Sequence, residues 1–418
     1  MNFTDEIKKL VAEAETVLAD NFAEVDRIAF DNTAKVMTSF AEHKVAEADF
    51  GSSTGYGYDD CGREKLDKIY ADVFSAESAF VRHQIVNGTQ ALSIGLYGLL
   101  RPGDILLSVT GKPYDTLEEV IGISGTPGNG SLSDFGVEYK QIDLTDDGKI
   151  DFDRIGKALS DKVKVVFLQR SKGYLNRPTL SVAEIGEVVK YVKARSNAYV
   201  MVDNCYGEFT ETVEPTAVGA DLIAGSLIKN PGGGMADCGG YLAGSARAVE
   251  LCSYRLTSVG VGLEVGATIG QNKNIYKGLF YAPHTVAQAV KTAMLAAYVF
   301  EKLGYSVNPR CNEPRYDIIQ SISLGSEAAM CAFCKGIQEG SPVDAHVTPL
   351  PWAMPGYSDN VIMAAGTFTS GASIELSADG PIRPPYTIFL QGGLTYESGR
   401  YGIMKAAERI LEYQKEKA

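Results

Sequence analysis

One stretch, VKVVFLQRSKGYLNRPTLSVAEIGEVVKYVKARSNAYVMVDN at residues 163–204, decides the fold. It begins and ends with short apolar runs of strand length, and between them VAEIGEVVKYVKAR has apolar residues at helical spacing. A strand, a helix and a second strand in this order predict two parallel strands joined by a crossover helix. The run ADLIAGSLI at residues 220–228 predicts the next strand.

The same alternation extends towards the N-terminus. The runs DILLSVTG and VEYKQIDL predict strands, and TQALSIGLYGLL, TLEEVIGI and DFDRIGKALS predict helices. We therefore expect an α/β fold with a mostly parallel sheet that helices cover on both faces. After about residue 285 mixed apolar runs, prolines and glycines replace the alternation and predict a smaller α+β domain. The expected organisation is an N-terminal helical segment at 1–50, a large α/β domain at 51–285 and a small α+β domain at 286–418.

Composition limits the classes of function. The chain of 418 residues has a formal net charge of −13, which argues against nucleic acid or an anionic membrane as a partner, because both require clustered Lys and Arg. The N-terminus predicts an amphipathic helix rather than a signal peptide, and no run is long and apolar enough to span a bilayer. We therefore expect a cytoplasmic protein.

Metal catalysis is not expected. The seven cysteines are an odd number spread through the chain, which is typical of reduced thiols rather than of a disulfide framework. Cys331 and Cys334 form the only close pair, and no nearby histidine completes a zinc site. Their helical spacing in EAAMCAFCKGI favours buried small residues.

Candidate site residues lie after predicted strands, where open α/β sheets bind their ligands. Gly88 and Thr89 stand at the start of a predicted helix, where free backbone amides favour an anion such as phosphate. The alternative is that Asn87 or Thr89 only caps this helix. Tyr114 follows a strand and either stacks on a flat ligand ring or packs against its own loop.

Two further candidates end apolar strands. Asp203 either caps the next turn or pairs with a cationic group of a ligand. Lys229 precedes a proline and three glycines. Burial lowers the pKa of a lysine and makes its neutral amine available to form a Schiff base, whereas a lysine that extends into solvent has no such role. The glycines would let a bulky cofactor approach the backbone, and Ser226 could add a hydroxyl for a phosphate.

Together these residues are the parts that hold pyridoxal phosphate. They comprise a lysine for the imine, a carboxylate for the pyridinium nitrogen, an aromatic ring to stack and a helix start for the phosphate. The sequence therefore predicts pyridoxal 5'-phosphate as the cofactor.

Several motifs resemble those of a known family. GYGYDDCGR, VRHQIVNGTQAL, RPGDILLSVTGKPYDTLEEVIG, VDNCYGEF, GSLIKNPGGG and QGGLTY are similar to the methionine gamma-lyase-like family, often labelled aluminium resistance protein, and the resemblance runs from about residue 30 to 410. That family is a branch of the fold-type-I enzymes that use pyridoxal phosphate and is related to the cystathionine lyases. The resemblance implies the fold-type-I architecture and a homodimer or homotetramer with active sites at the subunit interface, where the tyrosine-rich loop and the N-terminal helix would be exchanged.

The resemblance also implies roles for matched residues. Lys229 would bond to the cofactor and remove the Cα proton, Asp203 would hold the pyridine nitrogen, and Tyr114 would stack on the ring and protonate the departing sulfur. The residues that would contact the phosphate are Gly88, Thr89, Gln90 and Ser226. Tyr56 and Arg63 are the nearest match to a Tyr-x-Arg element that reaches the phosphate of a neighbouring subunit in related lyases, although the spacing differs.

In the related lyases an arginine of the C-terminal domain holds the substrate carboxylate. Arg383, in GPIRPPYTIFLQGG, is the candidate for this role here, and Arg400 is a weaker one. The alternative for Arg383 is a surface arginine between prolines.

The expected reaction is the elimination of a thiol from the β or γ carbon of an amino acid such as cystathionine, cysteine or methionine, which leaves a 2-keto acid and ammonia. An aminotransferase, aldolase or decarboxylase of the same fold is the alternative, because these enzymes differ in which Cα bond stands perpendicular to the cofactor ring. A dehydrogenase-like nucleotide-binding protein is disfavoured, since GGG follows Lys229 instead of forming GxGxxG after the first strand. A non-catalytic stress protein is also disfavoured, because no carboxylates are spaced to bind a hard trivalent ion.

Overall fold

The computed structural model describes residues 3–354, 357 and 359–417. The helices in these ranges are α1 (Asp5–Val17), α2 (Ala19–Glu42), α3 (Cys61–Val73), α4 (Gly88–Leu99), α5 (Asp115–Ile121), α6 (Phe152–Ala158), α7 (Val182–Lys193), α8 (Ala246–Leu256), α9 (Asn272–Lys302), α10 (Glu327–Glu339) and α11 (Tyr396–Lys417). The strands are β1 (Ser78–Arg82), β2 (Ile105–Ser108), β3 (Glu138–Gln141), β4 (Val163–Gln169), β5 (Tyr199–Asp203), β6 (Leu222–Ser226), β7 (Gly240–Gly244), β8 (Ser306–Asn308), β9 (Gln320–Ser323), β10 (Trp352–Ala353), β11 (Asn360–Ala364), β12 (Ser377–Pro381) and β13 (Thr387–Gln391).

The first sheet confirms the predicted α/β fold. Within the described ranges it has seven strands in the order β1-β7-β6-β5-β4-β2-β3. Strands β3, β2, β4, β5 and β6 pair in parallel, while β7 runs antiparallel to both β6 and β1. The central strands β5 and β6 are almost fully buried, as expected for a parallel sheet that is covered on both faces.

Two strands of this sheet were not predicted. The sequences of β1 and β7 are SAFVR and GYLAG, and the second begins and ends with glycine, which has a low preference for strands. Pairing with β1 on one side and β6 on the other fixes β7 as a strand. Such long-range pairing leaves no local pattern in the sequence.

The C-terminal part forms a second sheet, as predicted for a smaller α+β domain. Among the described residues this sheet has six strands in the order β10-β11-β12-β13-β9-β8, and every neighbouring pair is antiparallel. Helices α10 and α11 pack against each other, and α10 lies on β11 and β12. Cys331 and Cys334 lie on α10, where Cys334 is fully buried.

Helix α9 links the two sheets. It contacts β8, β9 and β13 of the second sheet and the turn that follows Lys229 at the edge of the first sheet. Residue 285, where the sequence placed the boundary between the large and small domains, lies within this helix. The N-terminal segment forms two helices, α1 and α2, that both pack against α9. No described helix combines the length and the apolar character that crossing a membrane requires.

Candidate active site

The strand ends of the first sheet bring the candidate residues together. Asp203 is the last residue of β5 and Ser226 the last of β6, and these parallel strands are neighbours. Because parallel strands end at the same edge of a sheet, Lys229, three residues after β6, lies at that edge too. A cavity of about 220 Å³ opens there. The predicted site residues that line it are Gly88, Thr89, Tyr114, Asp203, Ser226 and Lys229.

One end of the cavity has the properties of a phosphate site. Asn87 caps α4, since its side chain accepts a hydrogen bond of 2.8 Å from the Gln90 amide. The amides of Gly88 and Thr89 at the same helix start have no acceptor among the described residues. The buried Oγ of Ser226 likewise has no partner there. Free amides at a helix start and a nearby hydroxyl are suitable ligands for an anion.

The absence of a side chain at Gly88 keeps this end open. A Cβ atom at Gly88 would lie 3.3 Å from Cys205 Sγ, 3.5 Å from Ser226 Cβ and 4.0 Å from Lys229 Nζ. The amine, the hydroxyl side chain and the helix start therefore surround one small space. Their chemistry fits the phosphate and aldehyde groups of pyridoxal 5'-phosphate.

Lys229 extends into the cavity and not into solvent. Its Nζ lies 3.9 Å from the centre of the Tyr206 ring. Burial lowers the pKa of Lys229, but the acidic groups of Cys205, Tyr206, Asp203 and Glu208 oppose this and raise it overall. The sequence analysis expected burial to lower the pKa of Lys229, and for the protein without cofactor this expectation is wrong. The sequence does not show which acidic groups surround the amine.

Asp203 caps a turn, as one of its two predicted alternatives requires, and lies where a ligand could reach it. Its Oδ1 accepts a hydrogen bond of 3.0 Å from the Cys205 amide, so it caps the turn after β5. It also lines the cavity that contains Lys229. Burial raises the pKa of Asp203, and the charge of Lys229 counteracts this. The carboxylate is thus held rigidly and faces a cation.

Tyr114 belongs to a group of aromatic side chains on the other side of the cavity. Its hydroxyl lies 2.8 Å from that of Tyr357, and its ring centre lies 5.6 Å from that of Tyr174. Burial raises the pKa of Tyr114 well above its ordinary value. The hydroxyl is therefore protonated at neutral pH.

The second sheet contributes residues that the sequence analysis missed. Ser377 and Asp379 of β12 and Gln391 of β13 line the cavity. The Oδ1 of Asp379 accepts a hydrogen bond of 3.1 Å from Gln391 Nε2, and its Oδ2 accepts one from the Tyr174 hydroxyl. An acid within the otherwise uncharged run LSADGP is a signal that could have identified Asp379, since buried strands rarely contain an unpaired charge.

Three predicted cofactor ligands do not line this cavity. The Gln90 side chain accepts a hydrogen bond of 2.6 Å from the Val86 amide. The ring of Tyr56 is 71% exposed and stacks on Tyr58. The residue Arg63 is buried and donates from Nη1 to the carbonyl oxygens of Gly57 and Gly266, at 2.6 and 2.9 Å. Within this chain each of the three has a local structural partner.

The candidate carboxylate-binding arginines also lie elsewhere. Arg383 lines a separate cavity and pairs with Asp359, with 2.7 Å between Nη1 and Oδ2. Arg400 pairs with Glu15 at 3.2 Å. Among the described residues no arginine lines the cavity of Lys229. The described residues also include no group of three His, Cys, Asp or Glu side chains arranged to hold a metal ion.

The glycines after Lys229 form a tight turn that packs against α9. A Cβ at Gly232 would lie 1.6 Å from the Leu227 carbonyl oxygen. Gly233 has a φ of +54°, and its Cβ would lie 2.3 Å from the carbonyl oxygen of Gly278 in α9. These glycines permit the tight turn and the close approach of α9, a requirement that the sequence analysis did not predict.

Comparison with known proteins supports the assignment of the fold. The sequence profile of the methionine gamma-lyase family matches residues 7–411. The uncharacterized protein YnbB of Bacillus subtilis is 53% identical over 98% of this chain and 97% of its own length.

Solved structures agree with this finding. The crystal structure of a carbon-sulfur lyase involved in aluminum resistance, from Clostridium novyi, has a TM-score of 0.94 and 49% identity, and the match covers 98% of this chain and 96% of that one. A pyridoxal-5'-phosphate-dependent protein from Escherichia coli, only 15% identical, has a TM-score of 0.61 over 93% of this chain and 96% of that one. These similarities confirm the fold-type-I architecture.

Proposed function

This chain belongs to the methionine gamma-lyase family, and we propose that it is a carbon–sulfur lyase that eliminates a thiol from a sulfur-containing amino acid. Family membership implies pyridoxal 5'-phosphate as the cofactor. One observation supports the proposal most strongly: Lys229, Asp203, the free amides of Gly88 and Thr89 and the unpartnered Ser226 hydroxyl meet in one cavity. The relative from Clostridium novyi bears the name of a carbon-sulfur lyase.

Each part of the cofactor has a candidate ligand in the cavity. Lys229 would hold the aldehyde carbon and Asp203 the pyridine nitrogen. The Gly88 and Thr89 amides and the Ser226 hydroxyl would hold the phosphate. When bound, the cofactor supplies an electron-accepting ring that stabilises negative charge at the substrate Cα atom.

The side chains of the cavity supply the proton transfers. The free amine of Lys229 removes the Cα proton of the substrate as a general base. The Tyr114 hydroxyl, which its raised pKa keeps protonated, donates a proton to the sulfur as the thiol leaves. Arg383 pairs with Asp359 outside the cavity. The buried hydroxyls of Ser373 and Ser377 line the cavity without a described partner and would be donors for a substrate carboxylate.

We also propose a homodimer or homotetramer whose interface includes the loop around Tyr56. Tyr56 and Tyr58 are 71% and 62% exposed, although stacked aromatic rings are usually buried. Backbone hydrogen bonds from Gly266 to Tyr56 and from Ile269 to Ser53 join this loop to the segment with the exposed Ile269. A Tyr56→Ser, Ile269→Asp variant should elute as a smaller species than the wild type in light-scattering chromatography, and an unchanged mass would refute this interface.

The test of the cofactor site is a borohydride reduction followed by peptide mass spectrometry. The purified protein with added pyridoxal 5'-phosphate should have a visible absorption band that disappears on reduction, and the added mass should lie on Lys229. Lys172 is a suitable internal comparison, because it is another buried lysine and burial lowers its pKa to about 8. A label on Lys172, or no label, would contradict the proposed role of Lys229.

The test of the reaction is the release of products from cystathionine, cysteine and methionine without an added keto acid. Formation of a 2-keto acid and a thiol, abolished in Lys229→Ala, would support elimination. Product that forms only with a keto-acid acceptor would identify an aminotransferase, and release of carbon dioxide would identify a decarboxylase. Either result would overturn the proposed lyase.

A further inference from the structure

A group of hydroxyls connects Tyr114 with a buried acid of the second sheet. The Tyr114 and Tyr357 hydroxyl oxygens are 2.8 Å apart. The ring centres of Tyr357 and Tyr174 are 5.8 Å apart. Burial raises the pKa of Tyr357, and hydrogen bonding with the Tyr174 side chain counteracts this rise. The Tyr174 hydroxyl in turn donates a hydrogen bond to Asp379 Oδ2. Tyr357 and Tyr174 therefore lie between Tyr114 and the carboxyl group of Asp379.

Asp379 is an unusual residue for its position. It lies in β12 and is 7% exposed, and its described hydrogen-bond donors, Tyr174 and Gln391, are neutral. Burying a carboxylate without a cationic partner in contact is costly. An asparagine has the same shape and would bury no charge.

The surroundings of Asp379 adjust its affinity for a proton. Burial raises its pKa to about 6, although the hydrogen bonds from Tyr174 and Gln391 and the charge of Lys229 lower it. The other titratable groups that face it are Tyr114, Tyr206 and Tyr357 across the cavity and Cys334 on α10. Asp379 thus changes its protonation state close to neutral pH, while the tyrosines and the thiol remain neutral.

We propose that Asp379 stores the proton that Tyr114 takes from the substrate ammonium group and later returns to the departing sulfur. This inference rests on the proposed lyase function. The substrate nitrogen loses its proton to Tyr114 Oη. At the same time Tyr114 passes its hydroxyl proton to Tyr357, Tyr357 passes its own to Tyr174, and Tyr174 passes its own to Asp379 Oδ2, which becomes protonated. When the carbon–sulfur bond breaks, the same movements reverse and the sulfur gains the proton.

The cycle balances in bonds, protons and electrons. One N–H bond of the substrate breaks and one S–H bond of the product forms, Asp379 ends as the carboxylate, and no oxidant or reductant is needed. The return step is favourable, because a thiol with an ordinary pKa of about 8.5 holds a proton more tightly than an acid with a pKa of about 6. Asp379 and Tyr174 are positioning residues in this scheme, since they act on the substrate only through Tyr114.

The test uses two variants that keep the packing of the site. Tyr174→Phe removes only the hydroxyl, and Asp379→Asn removes only the charge. Tyr139→Phe is the matched control, because the Tyr139 hydroxyl donates to Gln141 in β3, outside the cavity. Melting temperatures of the holoenzymes would show that each variant is folded.

The kinetic readout is the pH dependence of keto-acid release. In the wild type and in Tyr139→Phe, kcat/KM should rise with pH through a group near 6. This rise should be absent in Asp379→Asn, which has no carboxylate, and also in Tyr174→Phe, which cannot pass a proton to it. Both variants should lose about 10²-fold in kcat with little change in KM.

A second readout does not depend on turnover. The infrared difference spectrum between wild type and Asp379→Asn should contain one carboxyl band that titrates near pH 6, and Tyr174→Phe should raise its midpoint. A band that Tyr174→Phe leaves unchanged, or an Asp379→Asn variant with wild-type kcat and the same pH profile, would overturn the relay and leave the lyase function intact. A wild-type protein that forms no keto acid would overturn the proposed function, and the relay with it.

Discussion

The substitution Gly88→Ala tests the phosphate site, because it should raise the stability of the cofactor-free protein and lower its affinity for the cofactor. The added methyl group would lie 3.3 Å from Cys205 Sγ, 3.5 Å from Ser226 Cβ and 4.0 Å from Lys229 Nζ. These are tight to ordinary van der Waals distances, and Gly88 lies in helix α4 without a positive φ. The fold without cofactor should therefore accept the methyl, and the reduced freedom of the unfolded chain should stabilise it by about 0.4–1 kcal/mol.

Cofactor binding should change in the other direction. The methyl would fill the space between the helix start, Ser226 and Lys229 and would block access to the Gly88 amide. Losing one hydrogen bond to a charged phosphate costs about 1.5–3 kcal/mol. Since about 1.4 kcal/mol corresponds to a factor of ten, the affinity for pyridoxal 5'-phosphate should fall about 10- to 100-fold.

The assay combines thermal unfolding of the cofactor-free protein with a spectroscopic titration of the cofactor. Gly186→Ala is the matched control, because it lies in helix α7 outside the cavity and its Cβ would be 3.2 Å from Val218. The control should bind the cofactor as the wild type does. Unchanged affinity in Gly88→Ala would show that the phosphate does not bind at the start of α4, and a large loss of stability would show that the space beside Gly88 is not free.

Three further predictions concern single residues. Ser226→Ala should leave the melting temperature unchanged and weaken binding of pyridoxal 5'-phosphate about tenfold by titration, because its hydroxyl has no described protein partner; unchanged affinity would contradict its role. Burial raises the pKa of Glu208 from 4.5 to about 8, so the folded state binds its proton more tightly than the unfolded state, and stability is lost as pH rises from 4.5 through 8. The advantage of Glu208→Gln in free energy of unfolding should therefore grow by on the order of 5 kcal/mol across this range in urea titrations, and a constant difference would refute the argument. Gly232→Ala would place a Cβ 1.6 Å from the Leu227 carbonyl oxygen and should destabilise the protein by more than about 3 kcal/mol in the same assay; a loss below about 1 kcal/mol would show that the turn can adjust.

Local periodicity was enough to predict most of the first sheet. The runs that became β4, β5 and β6 are mostly apolar, and helix α7 has apolar residues at helical spacing. These patterns arise because each element must bury one or both faces within a few residues of chain. Strand β7 has no such pattern, since its pairing with β1 and β6 depends on residues far away in the sequence.

The site was predictable only in part. Residues at strand ends, such as Asp203 and Lys229, stand next to apolar runs that the sequence displays. Asp379 does not, because its place in the cavity and its hydrogen bond from Tyr174 depend on how the second sheet packs against the first. The raised pKa of Lys229 depends on Asp203, Cys205, Tyr206 and Glu208, whose distances from the amine no spacing reveals.

The sequence by itself determined the α/β architecture, the smaller C-terminal domain and the lysine and aspartate expected to hold the cofactor, because each of these follows from residues that are neighbours in the chain. Only the tertiary structure decided that the GGG run packs against α9, that Arg383 lies outside the cavity of Lys229, and that Asp379 lines this cavity and accepts a hydrogen bond from Tyr174. Hydrophobic periodicity acts over a few residues, whereas charge, hydrogen bonding and steric exclusion act between whichever groups the fold brings within a few ångströms.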